Sequence, residues 1–321
     1  MLISGAIMMI LFAFILFILG TVVASFFIKP KIHKFEPSIS IIIPCYNEEK
    51  NIKKCIYSIS KANYPKTKLE VIVIDDGSID NTRKILSKSG IKLINSEHVG
   101  KSAALNLGVN KARYDFILAL DADTTIDKNF IKNIVKPFED KKVGATNGSC
   151  LAKSDNNMLE TFQKIEYFGH SMIRKAFSDV YSNGLWFFGA FSCFRKSVLI
   201  EVGYFKKDTM AEDMDIFLEI YNKGHKVLNV SDAIGYTYVP TDLKSFFNQR
   251  ARWSIGGLQS LRKNKKAFSL KSNPSIIFLF INQWWWTLYA GISFFIIAYH
   301  YISGQRIYTV PYQVFLFPRT L

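Results

Sequence analysis

Two long stretches without a charged side chain, Leu2 to Ile28 and Ser275 to Ile302, frame this sequence. As a helix the first would reach about 40 Å, at ~1.5 Å per residue. A bilayer hydrocarbon core is about 30 Å thick, so such a helix can span it with tilt. A cleaved signal peptide would need a basic leader and a shorter apolar run, and no basic residue precedes Ile28. The second stretch carries Trp284, Trp285, Trp286 and Tyr289 near its middle, residues that favour the membrane interface. A third apolar run, Ile307 to Phe317, is too short to span; it reads as a re-entrant piece or the start of a further helix.

Nearly all the charge lies between these stretches. All 26 acidic residues and 39 of the 41 basic ones fall between Lys29 and Pro274, an excess of 13 positive charges; Arg306 and Arg319 lie outside. Lys29, Lys31 and Lys34 follow the first apolar stretch, and Arg262, Lys263, Lys265, Lys266 and Lys271 precede the second. Positive flanks stay on the cytoplasmic side. The expectation is a multi-pass protein of the cell membrane whose middle domain is cytosolic. Its basic excess suits an anionic leaflet, and no recognition motif accompanies it that would point to nucleic acid. Cys45, Cys55, Cys150 and Cys193 are scattered without CxxC spacing, which argues against zinc and for reduced thiols.

From Ser38 the pattern alternates strand and helix. Buried strands are expected at Ile39–Ile43, stopped by Pro44, and at Leu69–Ile74, Ile91–Ile94 and Phe116–Leu120. Helices are expected at Glu48–Ser60, Thr82–Lys88, Ser102–Ala112 and Asn129–Phe138. This alternation implies an α/β fold with a mostly parallel mixed sheet covered on both faces. After Val143 the periodicity weakens. Helices are expected at Met158–Phe177 and Asp213–Lys223, with a strand at Phe188–Phe194. Thr241 to Lys266 reads as an amphipathic helix, its apolar side made by Leu243, Phe246, Phe247, Leu258 and Leu261, interrupted by Arg250 and Ser254. The chain thus divides into a transmembrane helix at 1–28, an α/β domain at 29–240, an amphipathic interfacial segment at 241–274, a second transmembrane helix at 275–302 and an apolar tail at 303–321.

Ligands of parallel sheets sit at the carboxyl ends of strands, where Asn47, Asp76 and Asp123 fall. Asp121-Ala-Asp123 ends a buried strand with two carboxylates able to hold a hard divalent cation. Asp75-Asp76-Gly-Ser-Ile-Asp80 ends another; one Asp could accept a hydrogen bond from a base or ribose, while Asp80 and Asn81 suit a helix-capping turn. Gly100-Lys101 opens a helix, whose N-terminus favours anions. Glu212-Asp213 opens a later one, with Asp215 following. These carboxylates either complement the helix dipole or supply a general base for a hydroxyl nucleophile. Gln249-Arg250-Ala-Arg252-Trp253 offers guanidinium groups for phosphate and a flat ring for a sugar; a basic interfacial helix anchored by Trp is the plainer alternative.

Taken in order, Ile41-Ile-Ile-Pro44-Cys-Tyr46-Asn47-Glu48, Val71-Ile-Val-Ile-Asp-Asp76-Gly-Ser, Gly100-Lys101, Asp121-Ala-Asp123, Glu212-Asp213 and Gln249-Arg-Ala-Arg-Trp253 resemble family-2 glycosyltransferases. The resemblance covers roughly Ser38 to Gln259. Its last motif is similar to the Q-x-x-R-W of membrane-embedded synthases of cellulose, hyaluronan and poly-N-acetylglucosamine, and the run Arg252-Trp253-Ser-Ile-Gly256-Gly257 is most similar to the last of these.

The resemblance implies a GT-A fold, a UDP-sugar donor and Mg2+ or Mn2+ as cofactor. It implies that Tyr46 and Asp76 contact the uracil, with Pro44, Asn47, Glu48 and Asp121 on the donor side. Lys101 would approach the phosphates and Asp123 would be the main metal ligand. Asp213, with Glu212 beside it, would act as catalytic base. Arg252 and Trp253 would close over diphosphate and acceptor, and Gly189, Ala190, Phe191 and Gln249 would lie on the acceptor side. The expected partners are a UDP-sugar, with N-acetylglucosamine favoured, a glycan or lipid-linked acceptor, the lipid bilayer, and an oligomer or membrane partner. Synthases of this type carry several helices after the catalytic domain, whereas one complete apolar stretch follows here, which leaves polymer translocation by this chain alone open. Non-processive transfer to a lipid carrier and a non-catalytic nucleotide-binding scaffold remain the alternatives.

Overall fold

The computed structural model describes residues 2–28, 35–153 and 157–284. It begins with helix α1, Leu2–Ser25, followed by β1 (Ile39–Cys45), α2 (Ile52–Ser60), β2 (Leu69–Asp75), α3 (Thr82–Ser87), β3 (Lys92–Asn95), α4 (Lys101–Lys111), β4 (Phe116–Leu120), β5 (Thr125–Ile126) and α5 (Phe130–Val135). The second half adds β6 (Val143–Lys153), α6 (Met158–Tyr181), β7 (Phe191–Arg195), α7 (Lys196–Glu201), α8 (Glu212–Asn222), β8 (Lys226–Tyr238) and α9 (Leu243–Lys263). A further helix occupies 274–284.

Successive residues of β1 bury opposite faces, because strand side chains alternate. Ile39, Ile41 and Ile43 pack into one apolar layer with Ile52, Cys55 and Ile59 of α2 and Phe130, Ile131 and Ile134 of α5. Ile42 joins Ile72, Ile74 and Ala104, Leu105 and Val109 of α4 in the layer on the other face. Burial on both sides explains the near-continuous Ile/Val runs of the sequence.

Eight strands form one sheet in the order β3-β2-β1-β4-β7-β6-β8-β5. The pairs β1/β2, β1/β4, β2/β3 and β6/β8 are parallel. Strand β7 runs antiparallel to both β4 and β6, and β5 runs antiparallel to β8. Four carboxyl ends, those of β1, β2, β3 and β4, therefore open on one edge.

Several expectations need correction. Strand β1 continues through Pro44 to Cys45. Its ladder with β4 ends at Ile42 and only the β2 side continues, so the missing Pro N–H breaks no bond to β4. The helix expected from Glu48 starts at Ile52, after a turn. Strands β6 and β8, of 11 and 13 residues, were not legible where the periodicity weakens. On α9 the expected apolar stripe is divided. Phe246 and Leu261 are buried, but Leu243 and Phe247 are exposed. Arg250 takes the place inside, 8% exposed, with Nη1 and Nη2 donating to Glu166 of α6 at 3.0 and 2.6 Å. It also lies over Trp253 at 4.4 Å and Phe246 at 4.8 Å.

Helix α1 packs on α6 and on 274–284. Phe14 stacks on Phe278 at 4.9 Å, Phe17 meets Phe177 edge-on at 5.8 Å, and Thr21 Oγ1 lies 3.1 Å from Tyr181 Oη. The backbone of α1 is described over 24 residues and its side chains over a shorter part. Among the described residues no helix is long and apolar enough to cross a membrane. The flanking lysines 29, 31 and 34, most of the expected second span and the tail after it lie outside the described residues.

The Arg250–Glu166 pair is the polar bolt between α9 and α6. Removing one partner of such a pair leaves the other charge buried, at a cost of about 3–5 kcal/mol. Arg250→Ala should lower the unfolding midpoint accordingly, and the double replacement Arg250→Ala with Glu166→Ala should cost less than the sum of the two single ones; additive losses in thermal melts would deny the pair this role.

Candidate functional site

The cleft is assembled at the carboxyl edge of the sheet. Asp76 follows β2 and is 4% exposed. Its Oδ1 accepts from Ser96 Oγ at 2.6 Å and Val99 N at 2.7 Å, and Oδ2 from Gly100 N at 2.8 Å. Burial works against its charge, but these donors outweigh it and hold the carboxyl below the usual carboxylate range. Asp76 thereby fixes the loop that delivers Lys101 as the first residue of α4. Beside it, the Tyr46 ring lies 4.2 Å from that of His98, and Tyr46 is exposed. Asn47, with φ 55°, is locked across the same edge: its N–H donates to Ser78 Oγ at 3.0 Å and its Oδ1 accepts from Ile79 N at 2.9 Å. Together these residues form an exposed ring over a polar floor.

The neighbouring Asp75 is fully buried and pairs with Arg83 Nε at 2.8 Å. Asp80 caps the start of α3, accepting from Thr82 N at 2.9 Å and from Glu49 N at 3.2 Å. These two acids are structural.

Lys101 is the hub. Its Nζ lies 2.8 Å from Asp121 Oδ1, at the end of β4, and 3.3 Å from Glu212 Oε1, at the start of α8. Burial lowers the affinity of this amine for its proton, but Asp121 and Glu212 raise it further than burial lowers it. Asp213 lies alongside: a Cβ built on Gly189 would sit 3.3 Å from Lys101 Nζ and 3.4 Å from Asp213 Oδ2. Burial, then Glu212, push the Asp213 carboxyl up to about 7; Lys101 and the amides of Met214 and Gly189 pull against them. Asp123 is also pushed up to about 7, by burial and by the charges of Asp121 and Glu48, with Lys101 opposing. Glu48 is itself raised, chiefly by burial and then, against Asn51, by Asp121 and Asp80. Among the described residues neither Asp123 nor Asp213 has an ion-pair partner.

Asp76, Lys101, Asp121, Asp123, Glu212, Asp213 and Gly189 are thus brought to one cleft from five separate segments. Ala190 is partly exposed next to Gly189. Phe191, expected at the acceptor, is instead fully buried in the sheet, its ring 5.7 Å from Phe130 and so close to Gly235 that a Cβ there would come within 2.2 Å. The alternation of β7 turns it inward.

Helix α9 backs the cleft. A Cβ on Gly256 would lie 2.7 Å from the Ala211 backbone N, directly before Glu212. Trp253, one turn earlier, lies 6.4 Å from Tyr167, whose ring stacks on Phe188 at 5.7 Å, next to Gly189. Trp253 therefore borders the Gly189 side. Arg252 is exposed and pairs with no acid among the described residues, and the Gln249 Oε1 is buried without a partner among them. Sequence reasoning did not single out Glu166, Tyr167 or Phe188; a lone acid and two aromatics on long helix and loop segments give no local signal.

A divalent cation can be tested against these groups. Among the described residues no three His, Cys, Asp or Glu side chains converge as a complete metal cage. Mg2+ commonly takes one or two carboxylates and fills the rest of its shell with water and substrate phosphates. Asp123, raised by burial and then by the charges of Asp121 and Glu48, is together with Asp121 a hard oxygen donor set of that kind.

The sequence matches the family model described as Glycosyl transferase family 2 over residues 40–203. Poly-beta-1,6-N-acetyl-D-glucosamine synthase of Staphylococcus aureus strain COL is 31% identical over 245 residues, 74% of this chain and 58% of that protein. The enzyme of the same name from Staphylococcus epidermidis is 28% identical over 277 residues, 83% and 67% of the two chains. The chain thus spans 58% of the length of the first of these relatives. Among solved structures, mannosyltransferase PcManGT from Pyrobaculum calidifontis, in complex with GDP-Man and Mn2+, superposes with a TM-score of 0.66 at 22% identity, covering 85% of this chain and 79% of that one. S. aureus TarS in complex with UDP-GlcNAc gives 0.52 at 20% identity, covering 70% and 66%. The fold is GT-A-like, an α/β layer around a curled mixed sheet. Because the family model spans more than half of the 321 residues and runs from β1 through β7, the chain belongs to glycosyl transferase family 2.

Proposed function

We propose that this chain is a membrane-bound inverting glycosyltransferase that moves a sugar from a UDP-sugar, N-acetylglucosamine by preference, to a hydroxyl of a growing glycan. The observation that carries the reading is the convergence of Asp121 and Glu212 on Lys101, which sets a raised carboxyl, Asp213, beside the nucleotide edge. The donor preference is supported by the synthases the sequence is similar to and by the UDP-GlcNAc held by S. aureus TarS.

In this reading Asp76, Tyr46 and Asn47 hold the uridine and Lys101 faces the diphosphate. Asp123, with Asp121, would hold Mg2+ or Mn2+, which when bound neutralises charge on the departing diphosphate. Asp213 takes the proton of the acceptor hydroxyl. The hydroxyl oxygen bonds to the anomeric carbon as the bond to the diphosphate oxygen breaks on the opposite face, and UDP leaves with that electron pair. Lys101 stabilises the charge that develops. Trp253 and Tyr167 border the acceptor side, and Arg252 on the exposed face of α9 closes over the diphosphate.

Placement at a bilayer is supported by the uncharged α1, with exposed Phe12, Ile15, Leu16 and Leu19, and by an exposed row on α6 of Met158, Phe162, Ile165, Phe168 and Met172. A solvated surface seldom carries so continuous an apolar face. The exposed Leu243 and Phe247 of α9 extend it.

Asp213→Asn should hold UDP within about twofold of wild type and lower kcat by roughly 10²–10⁴, the range supplied by a general base; titration calorimetry and UDP-release assays decide it, and full turnover would remove Asp213 from the role. A base pushed up to about 7 must lose its proton to work, so kcat/KM should fall as pH drops below about 7 and level above it. A profile flat from pH 5 to 8 would contradict that. At Asp123 protons and a cation compete, so Asp123→Ala should abolish the Mn2+-dependent part of UDP binding and leave binding in chelator unchanged. An undiminished Mn2+ effect in that variant would place the cation elsewhere.

A further inference from the structure

Arg174 of α6 is 1% exposed, and no carboxylate pairs with it among the described residues. A guanidinium held this deep without a direct ion pair, with the Asp213 charge acting on it only from a distance, is costly, and an apolar side chain of similar size would fill the space without that cost. All its hydrogen bonds serve one loop and the strand below it. Nε donates to Trp186 O at 3.2 Å, Nη1 to Gly148 O at 3.3 Å, and Nη2 to Asn147 Oδ1. The guanidinium lies 4.3 Å over the Phe188 ring.

Asn147, fully buried on β6, passes the constraint on. Its Oδ1 also accepts from Phe188 N at 3.0 Å, and its Nδ2 donates to Phe188 O at 2.7 Å and to Ser192 Oγ at 2.9 Å. Ser192 Oγ donates to the same Phe188 carbonyl at 3.1 Å. Both backbone groups of Phe188 are thus fixed by side chains from elsewhere in the chain. The next residue is Gly189, whose Cα hydrogens face Lys101 and Asp213.

We propose that Arg174 is a positioning residue: through Asn147 and the Phe188 ring it holds loop 186–189 against Asp213, setting the orientation of the carboxylate and the wall on which an acceptor sugar rests. The same loop carries the Phe188 ring into its stack with Tyr167 and so toward Trp253. Arg174 touches no reacting atom; it acts by removing freedom from the loop, and misplacement of a reacting group by about 1 Å costs on the order of a hundredfold in rate.

The proposal rests on Asp213 as base. Its test uses the full chain in membranes or detergent, with Arg174→Met, Ser192→Ala and Asp213→Asn measured side by side for UDP affinity with Mn2+, for kcat, and for amide exchange over residues 187–190. Arg174→Met should keep UDP affinity within about twofold, lower kcat by about tenfold or more, and speed exchange at 187–190. Ser192→Ala, which removes one tether only, should change kcat and exchange in the same direction by less, and decides the matter if Arg174→Met does not fold. Unchanged kcat in both variants, or UDP affinity falling in step with kcat, would overturn the positioning role. Full activity in Asp213→Asn would overturn the base assignment and this proposal with it, whereas an inactive Asp213→Asn beside a fully active Arg174→Met would overturn this proposal alone.

Discussion

One ammonium group organises the cleft. Lys101 Nζ lies between Asp121 Oδ1 and Glu212 Oε1, residues 91 positions apart that end a strand and begin a helix. Without a cation there the carboxylates of these two segments would repel across a site partly closed to water, where charge interactions are screened less than in bulk. A single positive charge does not balance Glu48, Asp121, Asp123, Glu212 and Asp213. Burial first, and this excess after it, push Asp123 and Asp213 up to about 7. Acidity of this kind, concentrated beside a helix N-terminus, is what a cation-bound diphosphate relieves.

The hub keeps its geometry because the elements around it are fixed from behind. Helix α8, which carries Glu212 and Asp213, is latched to α9 by Lys263, 2.7 Å from Asp215 Oδ2, by Asn264, which donates to Asp215 Oδ1 at 2.8 Å, and by the close approach of Gly256 to Ala211. Helix α9 is bolted to α6 by Arg250 and Glu166. Helix α6 in turn holds the loop before β7 through Arg174. The side of α6 away from the core is the apolar row that faces outward. The same helix thus joins the loop that lies against Asp213 to that apolar row.

The first half of this architecture was legible in the sequence. Phe116–Leu120 is a strand over the very residues its apolar run suggests, and Asp76 and Asp123 stand at strand ends as the spacing implied. Buried parallel strands write themselves as unbroken Ile/Val runs, and their polar ends stand out against that background. The second half was less legible. Strand β6, Val-Gly-Ala-Thr-Asn-Gly-Ser-Cys-Leu-Ala-Lys, mixes small and polar residues because its side chains serve tethers such as Asn147 and close contacts such as that of Gly148 with Phe130. The local spacing around Arg250 suggests a phosphate ligand or an interfacial charge. Its partner Glu166 lies 84 residues away, and tertiary pairing at that distance leaves no trace in local spacing. Phe191 was expected at the acceptor, but β7 alternation turns it into the core.

The central claim is that carboxylates from separate segments surround one cation-bound nucleotide at the Lys101 hub. The most direct measurement is a structure of the chain with UDP and Mn2+, with the metal located by its anomalous scattering. The account predicts one Mn2+ peak on the Asp123 carboxylate, a diphosphate between it and Lys101, and the uracil against Tyr46 and Asp76. Mn2+ and UDP bound away from Lys101, or a nucleotide held with Asp123 and Asp213 both facing elsewhere, would contradict it.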